Sequence, residues 1–126
     1  MRGVAGSPAA NGLREDGLRW IPGVNGEFNI TVVSLQGLGD FYVPFRHGQI
    51  YRERAEANGN DIWLVQRAIR SPGHCDYTAQ EQINAFEDMV AWEQGGPKPP
   101  GDDFLNPATV AADSFGCAFS TADRAG

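Results

Sequence analysis

Two runs of apolar and β-branched residues stand out along the chain. "FNITVVSLQ", Phe28 to Gln36, and "DIWLVQRAI", Asp61 to Ile69, lack the strict alternation of a strand with one wet face. Such runs suit strands buried on both sides of a parallel sheet. The first stops at "GLGD" and the second at the turn Ser71-Pro72-Gly73. Between them, "PFRHGQIYRERAEANG" reads as a helix, with Pro44 at its first position and Asn58-Gly59 as its stop. Phe45, Ile50, Tyr51 and Ala55 are its expected inner face. After the second run, Thr78 and Glu81 have the spacing of a capping box. They predict a helix to about Gln94, ended by Gly95-Gly96-Pro97, with Ile83, Phe86, Met89 and Val90 on one side.

The order is therefore β-α-β-α. A crossover of about 25 residues between buried strands implies a parallel pair with a right-handed connection. The fold class expected is α/β with two parallel strands. Residues 1–27 are glycine-rich and aperiodic, residues 28–96 carry the β-α-β-α unit, and residues 97–126 read as an extended tail. Two strands leave sheet edges unpaired and one face poorly covered, so a further surface is expected to bury them.

Composition narrows the function. The 126 residues, 41% of them apolar, suit one domain with a core. Sixteen acidic against ten basic residues give a formal charge of −6. A chain of this charge is repelled by phosphate backbones and anionic lipid, so neither nucleic acid nor membrane is an expected partner. The start "MRGVAGSPAANG" lacks the apolar core of a signal peptide, and no apolar run approaches the roughly 18 residues needed to span a bilayer. Compartment is left unassigned. Cys75 and Cys117 are too few for a disulfide scaffold and lack zinc-site spacing, and the adjacent acids Asp102 and Asp103 have no further ligands beside them. No metal or cofactor is expected.

The candidate chemistry lies past the strand ends, where ligands gather in open parallel sheets. Asp40 follows the first strand and His74 the second, and His74 is one of only two histidines. Neighbouring parallel strands lie about 4.8 Å apart, so their loops can bring the carboxylate to the imidazole. Asp40 on Nδ1 would fix the tautomer and leave Nε2 free to accept a proton from a nucleophile. Simpler roles compete: His74 as a turn residue, and Asp40 as an acid near a helix start. His47 is expected on the surface and Glu81 as a cap.

"LQGLGDFYVPF" followed by "GHCDYTAQEQINAFEDMVAWEQGG" resembles the closing part of the α/β-hydrolase fold, in which G-x-x-D-x-x-V-P follows one strand and G-H the last. Gly37, Asp40, Val43 and Pro44 match the acid loop; Gly73 and His74 match the base loop. The tail, through "KPPGDDFLNP" to "FGCAFS", resembles bacterial serine hydrolases of the esterase, lipase and amidase kind. The resemblance implies a Ser-Asp-His triad with Asp40 as acid and His74 as base. It also implies a serine in G-x-S-x-G, which this sequence lacks: Ser7, Ser34, Ser71, Ser114 and Ser120 all lie outside such a motif. The implied protein is a C-terminal portion of a hydrolase, inactive alone, acting on an ester or amide when joined by the missing part or by self-association. Residues 1–27 would then be the end of a lid or insertion.

Two functional classes stay open: this hydrolase portion, and a noncatalytic α/β module or truncated remnant that binds a partner by its sheet edge. The two cysteines could be free or joined. A Cys75–Cys117 bridge is the expected state; it would pin the tail beneath the histidine loop and suit an exported parent protein. Cys75 is not expected to serve as a nucleophile, since a side chain next in sequence to the base generally points away from it.

Overall fold

The computed structural model describes residues 24–121. Most of the glycine-rich head, including Ser7, lies outside the described residues. Strand β1 (Val32–Gly37) is followed by helix α1 (Phe45–Ala57), strand β2 (Leu64–Ile69), helix α2 (Ala79–Glu93) and a single helical turn, α3 (Pro107–Val110). The two strands pair in parallel, Val32 opposite Leu64 through Gly37 opposite Ile69. The chain is thus α/β, as its pattern predicts.

Both elements begin later than the hydrophobic runs do. Phe28 to Thr31 lie outside the strand, and Asp61–Trp63 form a 3-10 turn ahead of β2. Trp63 N donates to Asn60 O at 2.9 Å, so a local turn takes a backbone group that a longer strand would have used. Pro44 caps α1 from just outside rather than occupying its first turn. At α2 the capping box forms: Thr78 accepts from Glu81 N, and Glu81 accepts from Thr78 N at 2.8 Å.

Successive side chains of a strand face opposite sides, and β2 shows what that achieves. Gln66 reaches α1, donating to Gly48 O at 2.9 Å, whereas Arg67 reaches α2, pairing with Asp88 at 2.5 Å. The helices therefore cover opposite faces, and all six residues of β2 are buried. Arg67 also donates to Pro100 O and lies over the Phe119 ring, 4.3 Å from its centroid. A buried guanidinium is tolerable when it is paired and hydrogen-bonded in this way.

The tail is more than an extended connection. Asp102 N donates to Gln66 O and Asp102 Oδ2 accepts from Ala68 N, both at 2.8 Å. This closes the outer edge of β2, an edge expected to be open. Asp103 accepts from Leu105 N and Asn106 N, and Asn106 caps α3. The adjacent acids thus hold backbone amides instead of standing free in solvent. Phe104 and Phe115, both tail residues, enter the core beside Ala68 and pack against Phe45, tilted and edge-on to its ring at separations of 4.7 Å and 5.6 Å.

On α2 the apolar side divides. Met89 and Val90 are half-buried, but Ile83 is exposed and Phe86 is 63% exposed. Their direction leaves an apolar face uncovered among the described residues.

Phe104 is 1% exposed, whereas Phe41 is 89% exposed. Phe104→Ala is expected to cost about 3–5 kcal/mol by the cavity it opens, and Phe41→Ala less than about 0.5 kcal/mol. Urea unfolding of the two variants beside the wild type checks this; similar midpoints for both would contradict the packing described.

Candidate functional site

The sheet pairing continues beyond its last residues. Leu38 N donates to Ile69 O and Gly39 N to Ser71 O, both at 2.9 Å, so the loops leaving β1 and β2 depart side by side. Such close passage needs glycine. A Cβ on Gly39 would lie 2.7 Å from Ser71 O and 2.8 Å from Pro72 Cα, closer than backbone can accommodate.

Asp40 and His74 face each other across these loops, with Nδ1 of the imidazole 2.8 Å from Oδ2 of the carboxylate. The other carboxylate oxygen accepts from the amides of Tyr42 and Val43, each at 2.9 Å. Gln36 ties the same loop to the sheet by donating to Val43 O at 2.9 Å. The Asp40 side chain is only 4% exposed, that of His74 45%. The geometry is that of a fixed carboxylate behind a half-exposed imidazole. The Tyr42 ring stands edge-on to the imidazole, 5.5 Å between centroids.

Burial raises the Asp40 pKa, but the Val43 amide, His74 and the Tyr42 amide together outweigh it and hold the carboxyl below its ordinary value. With Nδ1–H donating to a carboxylate, the lone pair of the neutral ring is on Nε2, directed away from Asp40. That nitrogen is where a proton can be exchanged with another group.

Cys75 is the neighbour there. Its backbone is left-handed, φ 51°, a conformation uncommon for a residue other than glycine. This turn carries Sγ round to 3.5 Å from Nε2 of His74, the opposite of the direction expected for adjacent residues. The expected bridge is absent: Cys75 and Cys117 are both free thiols, both exposed. The Cys75 sulfur faces the imidazole. No sequence signal marks this turn, since the unusual φ falls on a cysteine.

The remaining candidates lie elsewhere. His47 is exposed on α1. Glu81 is buried; besides capping α2 it accepts from Thr121 N at 2.9 Å. Ser71 is buried with an unpartnered hydroxyl beside Gly37, and Ser120 is bonded to Gly116 O. A cleft of about 350 Å³ lies between β1, α2 and residues 118–121, lined by Arg67, Glu81 and Asp88, but it includes neither Asp40 nor His74. Arg67, Asp88 and Glu81 in it already hold partners: Arg67 pairs with Asp88, and Glu81 accepts from Thr78 N and Thr121 N. Among the described residues no cluster suits a metal ion.

No family model matches the chain, and no solved structure does either. Among curated proteins it is similar to the o-phthalyl amidase of Xanthobacter agilis, 31% identical over 96 residues. The match spans 74% of this chain and 21% of that protein. The chain thus corresponds to about a fifth of the amidase's length and has a hydrolase for a relative.

The Asp40 environment sets a pH dependence. A carboxyl held below its ordinary value of 3.8 stabilises the fold above that pH and loses the contribution as pH falls through the lower, folded value. The stability gap between wild type and Asp40→Asn should therefore be widest above about pH 4 and should close on further acidification. Urea midpoints of both proteins across acid pH test this; a gap that widens toward low pH would contradict it.

Proposed function

We propose that this chain supplies the acid and the base of an α/β-hydrolase, with Asp40 orienting His74 and a serine from another part of the enzyme as nucleophile. The observation that carries the reading is the His74 Nδ1 contact to buried Asp40, with the imidazole half-exposed. The partial match to an amidase supports the same reaction class, acyl transfer from an amide or ester to water.

On this reading the serine hydroxyl gives its proton to Nε2 as its oxygen attacks the carbonyl carbon. Asp40 stays ionised, keeps the ring in the productive tautomer and stabilises the imidazolium. Nε2–H then protonates the departing amine or alcohol, leaving an acyl-serine that water resolves by the same steps in reverse order of partners. Among the described residues no serine hydroxyl is bonded to His74, so the chain alone is expected to be inactive. The other class, a noncatalytic module, rests on the exposed Phe41, Tyr42, Ile83 and Phe86, and it assigns no role to the imidazole.

Hydrolysis of a short-chain nitrophenyl ester and a nitroanilide distinguishes them. The chain is assayed alone and with a separately made hydrolase portion bearing G-x-S-x-G, with complex formation followed by sedimentation. Activity is expected only in the mixture, with a loss of about 10²–10⁴-fold for His74→Ala or Asp40→Asn. An assembled mixture that is inactive, or as active with His74→Ala, would favour the noncatalytic module.

A further inference from the structure

We propose that Cys75 is a histidine-assisted thiol and a modification site for small aliphatic disulfides. Three groups stand in line: the buried Asp40 carboxylate, the imidazole held by it at 2.8 Å, and the Cys75 sulfur 3.5 Å from the opposite ring nitrogen. This proposal rests on that geometry and not on the hydrolase reading.

The direction of proton movement follows from the ring. Nδ1–H is committed to Asp40, so Nε2 is an acceptor and the thiol is the donor facing it. Transfer of the thiol proton to Nε2 leaves a thiolate beside an imidazolium whose charge Asp40 balances. Thiolates flanked by such a cation are the reactive form of cysteine. Cys75 is also exposed, so a small reagent can reach the sulfur.

The step is a thiol–disulfide exchange. The Cys75 thiolate attacks one sulfur of R–S–S–R; a new bond joins Sγ to that sulfur while the original S–S bond breaks. The departing RS⁻ takes the proton held on Nε2 and leaves as RSH. Cys75 is oxidised to the mixed disulfide and the second sulfur is reduced to a thiol. The attached group then stands against Nε2 and occupies the place where any other proton donor would approach the ring.

Cys117 is the internal reference: it is exposed and free, and no imidazole is bonded to it. The reduced full chain is mixed with 2-hydroxyethyl disulfide near neutral pH, quenched with acid at intervals and mapped by peptide mass. Cys75 is expected to be modified about fivefold faster than Cys117. In urea, or in His74→Gln, the ratio should fall below about twofold, with the rate at Cys117 in the folded variant unchanged. Equal rates in the folded wild type would overturn the proposal, as would a preference that survives in urea or in a folded His74 variant. His74→Asn and Asp40→Asn provide further replacements in case His74→Gln loses its helical circular dichroism; a folded variant of either kind with the full wild-type preference also overturns it.

Discussion

The two hydrogen bonds that carry the parallel pairing past its strands, Leu38 N to Ile69 O and Gly39 N to Ser71 O, decide where Asp40 and His74 lie. Each contributes little in itself, about 0.5–1.5 kcal/mol of net stability for a typical bond. Their consequence is positional. They force two loops, separated by a whole helix in sequence, to leave the sheet together, and Asp40 meets His74 because the first residues of those loops are already paired. A glycine at position 39 follows from the same closeness, since the backbone at Ser71 and Pro72 occupies the space a side chain would need.

Burying a carboxylate at that point would be unfavourable without compensation. Asp40 has it from three directions: two amides of its own loop on one oxygen and the imidazole on the other. The amides come from Tyr42 and Val43, so the loop curls around the acid it presents. Gln36 then fastens the loop to β1 through Val43 O. The acid is therefore placed by backbone geometry, and the imidazole is placed by the acid. His74 can remain half-exposed and still be held in one orientation.

Much of this was legible in the sequence because it depends on short-range rules. The buried strand β2 reads as a nearly unbroken apolar run, although the similar run of β1 is only half-buried over Val32–Leu35. Thr78 and Glu81 announced the start of α2, and the positions of Asp40 and His74 just past two parallel strands implied that they meet. What stayed hidden depends on contacts remote in sequence. Phe104 and Phe115 sit in segments with no periodicity, and only the closing of the tail over β2 makes them core. Asp102 looks like a solvated acid until its carboxylate is found on Ala68 N. The Cys75 turn is opaque for a different reason: a left-handed backbone is announced by glycine or asparagine, and here neither occupies the position.

The distribution of apolar surface bears on how the site would be completed. β2 is closed on its outer edge by Asp102, but among the described residues no third strand pairs with β1. The exposed Ile83 and Phe86 lie on α2, and the exposed Phe41 and Tyr42 lie in the loop that presents Asp40. A parallel sheet is ordinarily buried on both faces, so a strand added to β1 would continue the sheet while its associated layers could cover apolar surface that is now wet. On the proposed reading this has a mechanistic value beyond burial. Extending the sheet from β1 would put further strand ends on the side where the Asp40 and His74 loops emerge, and the rule that chemistry gathers at those ends would then bring a nucleophile within reach of the outer nitrogen of His74. The unpaired edge of β1 and the half-exposed imidazole would thus be two aspects of one incomplete surface.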